Sequence, residues 1–155
     1  MGIQLNESEL AEFLEKGHTL ILATLRKSGE PFLTPLWYAY HEGAIYFSTR
    51  AESAKVRHIK RDPRVCCMVE EGQRWIDLKA AVINCTAELI EDHDMKAKVA
   101  GLTSEKYAAF RPNIQAAPKA TRKHYSASSA LVKLTPIDGE VRSWYNRKIR
   151  GMGDA

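Results

Sequence analysis

Three short β-rich runs between Thr19 and Ser48 constrain the fold most, because only tight turns separate one run from the next. Turns at 27–30 and 41–43, each containing glycine, separate these runs. Such spacing predicts an antiparallel meander, and Pro31 and Pro35 indicate that its second strand starts at a sheet edge or a bulge. The predicted strands are Thr19–Leu25, Phe32–Tyr40 and Ile45–Ser48.

The third strand continues directly into a helix. Ser53 is the predicted N-cap, Val56 and Ile59 share one apolar face, and Pro63 ends the helical pattern. Hydroxyls, main-chain N–H groups, a helix N-terminus and two cations therefore meet at the joint, which suits an anionic phosphate. An ordinary solvated turn is the alternative. The polar residues of the joint are Ser48, Thr49, Arg50, Ser53 and Lys55.

The remaining chain adds strands and a few helices. A capped helix is predicted from Asn6 to Gly17, and a second solvated helix begins at Asp92. Short helical pieces are predicted at Lys106–Phe110 and Arg122–Tyr125, in a loop that has no clear place. The further predicted strands are Val65–Glu70, Arg74–Leu78, Ala81–Ile90 with a bulge near its start, Leu131–Thr135 and Glu140–Tyr145. Arg74–Leu78 and Ala81–Ile90 are either one long bent strand or two consecutive strands, and a turn at 136–139 separates the last two.

This pattern predicts a mainly β fold with six to seven antiparallel strands, closed or nearly closed into a small barrel with helices packed on it. We expect one domain over residues 1–150 and a loose tail over 151–155. The three cysteines, Cys66, Cys67 and Cys85, are odd in number and lack metal-ligand spacing. Inert buried thiols in a reducing cytoplasm are therefore expected, with no membrane span, no signal peptide and no bound metal.

Several motifs, taken in order, resemble the pyridoxamine 5'-phosphate oxidase-like split β-barrels. The most specific are Ser53-x-Lys55, the stop Arg-Asp-Pro-Arg-Val at 61–65, and a tail motif with Ser143, Trp144 and Lys148. The similarity runs from about Leu10 to Ile149 and is strongest for the branch of small flavin- or deazaflavin-dependent oxidoreductases. The tail lacks the Arg-rich motif of the true oxidases, so vitamin B6 is not the expected substrate.

The resemblance implies a cytoplasmic homodimer with two cofactors in grooves between its subunits. It implies that the joint from Ser48 to Lys55 holds the cofactor phosphate and that the ring lies along 34–37. The second subunit would close the groove. The cofactor contacts expected outside the joint are Thr34, Pro35, Trp37, Arg57, Trp75, Trp144 and Lys148.

The expected activity is hydride transfer to or from a small organic substrate, with FMN or coenzyme F-420 as the cofactor. A basic belt formed by Arg57, Lys60, Arg61 and Arg64 would suit a longer anionic tail and thus F-420, unless it is merely a solvated helix face. Trp37 either packs in the core or stacks on the ring, and Trp144 could instead anchor the dimer.

Two other functions fit the sequence less well. A non-enzymatic flavin or haem carrier or sensor would need an axial ligand in the haem case, and His58 is a weak candidate. A nucleic-acid binder would need more than the net charge of +4, so neither nucleic acid nor a membrane is an expected partner.

Overall fold

A computed structural model describes residues 2–151 of the chain. Its helices are α1 (Glu7–Lys16), α2 (Ala54–Arg61), α3 (His93–Lys106) and α4 (Lys119–Tyr125). Its strands are β1 (Leu20–Leu25), β2 (Pro31–Leu36), β3 (Ala39–His41), β4 (Ala44–Arg50), β5 (Arg64–Glu71), β6 (Lys79–Ile90) and β7 (Ser129–Tyr145). Short 3₁₀ turns lie at Trp75–Asp77, Ala108–Phe110, Ile114–Ala116 and Asn146–Lys148.

All seven described strands form one antiparallel sheet in the order β2-β1-β5-β6-β7-β4-β3. The edge strands β2 and β3 are separated by only Trp37 and Tyr38 along the chain. A flat sheet would hold these edges about 29 Å apart, whereas three Cα steps reach about 11 Å. The sheet must therefore curl until its edges approach, and the mainly β split barrel predicted from the sequence is confirmed.

The core lies inside this curl, because alternate side chains of the strands face inward. Leu20 and Leu22 of β1, Phe47 of β4 and Leu134 of β7 are fully buried there. Phe13 and Leu14 of α1 and Ile59 of α2 join the same cluster, so these helices cover the curl. Val99 of α3 packs with Met95 and Leu102 in a second cluster.

Several local predictions are confirmed. Asn6 accepts from the N–H of Glu9 at 2.9 Å while Glu9 accepts from the N–H of Asn6 at 2.8 Å, which forms the predicted capping box of α1. Asp92 caps α3 through the N–H of Met95. β2 is an edge strand, as its two prolines predicted.

The predicted strand Phe32–Tyr40 is wrong as a single element, because the chain leaves β2 at Leu36 and crosses to the opposite sheet edge. Tyr38 sits at this crossover and is fully buried. Its hydroxyl donates to the carbonyl of Leu14, and its N–H donates to Tyr107 Oη at 3.1 Å. Packing against α1 and against the residue after α3 thus overrides the β propensity of the aromatic run.

Three further predictions need correction. Arg74–Leu78 is not a strand, since residues 75–77 form a 3₁₀ turn in which Arg74 pairs with Asp77 at 2.6 Å. The two last predicted strands are one strand, β7, and the predicted turn is a wide bulge in which residues 137–140 stand opposite Asn84. The bulge predicted near the start of the strand Ala81–Ile90 is not found there, because the extra residues lie in β7 and the register of β6 with β5 is unbroken from Lys79 to Thr86. The predicted loose tail falls outside the described residues from 152 onward.

Free thiols occur at all three cysteines, with Cys67 and Cys85 buried and Cys66 half-buried. A hydrogen bond with Cys85 and burial raise the pKa of the Cys67 thiol. No helix among residues 2–151 is long and apolar enough to cross a bilayer.

Lys106 lies in the last turn of α3 and makes the stability of the folded protein depend on pH. Its Nζ lies 3.8 Å from the centroid of the Tyr38 ring, and burial lowers the pKa of its amine to about 8. Between pH 8 and the ordinary lysine value of 10.5, the unfolded chain binds more protons, so the contribution of Lys106 to stability rises with pH in that window.

We therefore expect the free energy of unfolding of the wild type, relative to Lys106→Met, to rise from about pH 8 to about pH 10.5. Denaturant titrations of both proteins at several pH values measure this difference, which cancels the titration of all other groups. A difference that stays constant across this window would show that the amine titrates normally.

Candidate functional site

The joint between β4 and α2 is held in place by main-chain hydrogen bonds. The N–H of Ser53 donates to the carbonyl of Arg50 at 3.0 Å, which closes the turn before the helix. The N–H of Ala51 donates to the carbonyl of Ser128 at 2.9 Å, just before β7. The chain therefore presents the end of β4, the start of α2 and the start of β7 around one point.

Ser53 occupies the N-cap of α2 but does not cap it. Its backbone is extended (φ −67°, ψ 155°), as an N-cap requires, yet its side chain makes no bond to the first turn. The buried Ser53 Oγ has no hydrogen-bond partner among residues 2–151. The first turn also contains no acidic residue. The free N–H groups and the positive end of this helix are thus left for an external anion.

Lys55 lies half-buried beside this helix start. Its Nζ donates to Thr49 Oγ1 at 3.0 Å, which aims the amine at the end of β4. Burial lowers the pKa of the Lys55 amine. A desolvated cation without a carboxylate partner among the described residues is stabilised by a bound anion, so the donor set fits a phosphate.

A cavity of about 450 Å³ opens over the joint. The predicted residues Ser48, Thr49, Arg50, Ser53 and Lys55 all line it, so the structure brings these five together. Its other wall comes from the end of α4, the following linker and the start of β7. The residues that sequence reasoning missed are His124, Tyr125, Ala127 and Ser129. Their presence depends on the pairing of Arg50 with Ser129, a long-range register that no local pattern indicates.

The predicted ring contacts on 34–37 do not line this cavity. Thr34 and Pro35 point to opposite faces of β2, and Thr34 Oγ1 is buried without a hydrogen-bond partner among the described residues. Trp37 stacks on Tyr107, with ring centroids 4.3 Å apart and planes within 4°. Trp37 also lies edge-on to His18, with ring centroids 6.2 Å apart, so the packing alternative for Trp37 is realised.

The other predicted contacts are also apart from the cavity. Trp75 is 56% exposed in its 3₁₀ turn, and Trp144 is half-buried opposite Ala80 in β6. Lys148 forms an ion pair with Glu9 and donates to the carbonyl of Gln4 at 3.0 Å. Its amine is therefore bound at the N-terminus of α1 in its own subunit.

Most of the basic belt after the first turn of α2 is engaged within the protein. Arg57 donates to the carbonyl of Glu52 at 2.6 Å, and Arg61 donates to the carbonyl of Leu25. Arg64 pairs with Asp62 at 2.7 Å. These three cations have acceptors within the protein and do not line the cavity over the joint, whereas Lys55 does line it.

His58, the candidate haem ligand, also has protein contacts. Its Nδ1 lies 2.9 Å from Thr24 Oγ1, and its ring packs edge-on against Phe32 at 5.3 Å between centroids. Burial, followed by the nearby Arg61, Arg57 and Arg26, lowers the pKa of this imidazole. The histidine therefore packs α2 onto β1 and β2.

The outer face of the sheet is apolar beside the edge strand β2. Ile21 and Ala23 of β1 share this face with Leu33 of β2 and with Cys66 and Met68 of β5, since opposed residues of paired strands point the same way. Leu33 is 65% exposed. A run of apolar side chains across three strands is more than scattered surface residues, and such a face usually packs against another layer.

Comparison with solved structures supports the fold. A conserved hypothetical protein from Mycobacterium tuberculosis is 28% identical, with a TM-score of 0.80 over 99% of this chain and 94% of that one. A FAD-binding protein from Mesorhizobium loti is 21% identical, with a TM-score of 0.67 over 90% of this chain and 94% of that one.

The same fold occurs in proteins with different ligands in their names. An F420 reductase is 19% identical, with a TM-score of 0.60 over 81% of this chain and 91% of that one. A heme storage protein from Vibrio cholerae is 17% identical, with a TM-score of 0.67 over 94% of this chain and 98% of that one. At these identities the likeness shows the fold alone.

No curated protein matches the sequence. The family model described as pyridoxamine 5'-phosphate oxidase matches residues 7–142, which include every strand from β1 to β6 and most of β7. This match spans the site and far more than half of the chain. The chain therefore belongs to the pyridoxamine 5'-phosphate oxidase family.

Proposed function

We propose that the chain binds FMN or coenzyme F-420 with the phosphate at the β4–α2 joint, and that it transfers hydride to or from a small organic substrate. One observation carries this proposal: the uncapped start of α2 lines a cavity, with the half-buried Lys55 and a Ser53 Oγ that has no hydrogen-bond partner in the described part of the chain. The family match supports it, as does the shared fold of a FAD-binding protein and an F420 reductase.

Each group at the joint has a separate role toward a phosphate. Ser53 Oγ and the first N–H groups of α2 donate to the phosphate oxygens, and Lys55 Nζ supplies the charge. Thr49 orients the amine through the bond it already accepts. Each charge-assisted hydrogen bond contributes about 1.5–3 kcal/mol.

The flavin or deazaflavin ring supplies the hydride chemistry when it is bound. The chain orients that ring and excludes water from it, and no acid or base on the chain is required. Thr34 and Pro35 of β2 and the adjoining Trp37 remain the proposed ring contacts. Trp75 and Trp144 are proposed to come from a second subunit, and so is Lys148, although its ion pair with Glu9 must then open.

We also propose that the working unit is a homodimer in which the apolar outer face of β1, β2 and β5 is covered by a second copy. Leu33→Arg puts a charge on this face, and we expect the dimer to dissociate because the charge would be buried without a partner. Light scattering after size-exclusion chromatography measures the mass.

Ala97→Arg is the matched control, because it adds the same charge at an exposed position on α3, which packs near β3 at the opposite edge of the sheet. It should leave the dimer intact. If the wild-type protein is monomeric at micromolar concentration, the proposed homodimer is wrong.

Absorbance and mass spectrometry of the small molecule that co-purifies test the proposed cofactor. A flavin spectrum with the mass of FMN, or F-420 bound tightly with no FMN retained, supports the proposal. A Soret band would instead identify a haem carrier. If neither FMN nor F-420 binds the purified protein at micromolar concentration, the proposed function is wrong.

A further inference from the structure

The net positive charge of this protein comes from one segment. Residues 106–137 contain six Lys and Arg residues and no Asp or Glu, whereas the rest of the chain has 17 basic and 19 acidic residues. The net charge of +4 thus arises from this segment. It includes α4 and the whole wall that faces the joint from the β7 side.

A second cavity, of about 640 Å³, opens along α4. Lys119, Arg122 and Lys123 of α4 line it together with Gln115 of the preceding 3₁₀ turn. Tyr125 lines both this cavity and the one over the β4–α2 joint, so the two cavities share a wall. The two cavities are therefore neighbours, and a ligand held in the first would have to extend past Tyr125 to enter the second.

The three cations of the second cavity have no carboxylate partner among residues 2–151, in contrast to Arg64, which pairs with Asp62. Lys119 stands three and four residues before Arg122 and Lys123, so the like charges adjoin on one helix face and repel. No acidic residue in the helix relieves this repulsion. A bound polyanion would turn the destabilising arrangement into a favourable one.

We infer that the second cavity binds an anionic extension of the same cofactor, beyond the phosphate held at the β4–α2 joint. This inference rests on the proposed function, and it makes the natural cofactor longer than FMN. The shared chemistry is a second anionic group on a flexible arm. Its source is either the second phosphate of a dinucleotide such as FAD or the carboxylate tail of coenzyme F-420.

The test compares the double variant Arg122→Ala/Lys123→Ala with the control Lys27→Ala/Lys98→Ala. Both remove two exposed positive charges, and alanine preserves the helix of α4. Binding of FMN, FAD and F-420 is measured for each protein by fluorescence titration, at low and at high salt. Melting temperatures confirm that both variants fold.

We expect the α4 variant to bind one of the longer cofactors about five- to tenfold more weakly, because two exposed ion pairs are lost. FMN should bind with unchanged affinity, and the loss should shrink at high salt. The control should bind all three cofactors as the wild type does. Which longer cofactor loses affinity identifies the source of the second anion.

An equal loss for FMN and the longer cofactors, or no loss for either longer cofactor, would overturn the inference while leaving the proposed function intact. If the wild type binds none of the three, the proposed function fails, and the inference falls with it.

Discussion

Replacing Lys55 by methionine is expected to weaken binding of FMN or F-420 by about 10- to 100-fold, because one charge-assisted bond of about 1.5–3 kcal/mol is lost. Methionine keeps the unbranched shape and most of the length of the side chain, and it removes the half-buried charge. The free protein should therefore melt at the same temperature as the wild type or higher, since burial disfavours the charged amine. A residue that lowers stability while raising affinity is typical of a binding site.

The pH dependence gives this prediction a second readout. Burial lowers the pKa of Lys55 in the free protein, and a phosphate binds the protonated amine. Wild-type affinity should fall as the pH rises through that lowered pKa, and the fall should be absent in Lys55→Met.

Lys60→Met is the matched control, because Lys60 lies on the same helix and is exposed. It should bind like the wild type. An affinity that is unchanged in Lys55→Met, or reduced equally in both variants, would show that the phosphate is not held at this joint. Isothermal titration of the cofactor into apo-protein measures all of these affinities.

Gly17→Ala is expected to destabilise the protein by about 1–3 kcal/mol or more, because a Cβ at this position has no space. It would overlap Tyr38 Oη and lie 2.5 Å from Val69 Cγ1 and 3.1 Å from the carbonyl oxygen of Phe13. Gly17 ends α1 with an ordinary φ of −56°, so the cost is steric and not conformational. Pushing Tyr38 away would disturb the crossover that brings the sheet edges together.

Gly101→Ala is the opposite case. Gly101 is exposed in the interior of α3, and a Cβ there meets no atom within 4 Å. Alanine should stabilise the protein by about 0.5–1 kcal/mol, since glycine weakens a helix interior. Urea denaturation of both variants measures the contrast. Equal effects would mean that Tyr38 and α1 are not packed as described.

Features that depend on neighbours in sequence could be predicted. The capping box of α1, the N-cap of α3 and the turn between β4 and α2 each use residues within four positions, and each is found where the pattern indicates. The five residues of the joint lie together for the same reason.

Features that depend on distant contacts could not be predicted. The aromatic run at 36–40 has strong β propensity, and only the burial of Tyr38 against α1 and Tyr107 shows where it breaks. The turn at 136–139 resembles a hairpin turn, yet pairing with β6 on both sides keeps it inside β7. The second wall of the cavity needs the register of β4 with β7, which joins residues about eighty positions apart.

The most direct test of the account is a crystal structure of the protein with its co-purified cofactor, or with FMN and F-420 soaked separately. We predict a cofactor phosphate within hydrogen-bond distance of Ser53 Oγ, Lys55 Nζ and the first N–H groups of α2. A cofactor bound with its phosphate elsewhere, and Ser53 Oγ still without a partner, would contradict the account.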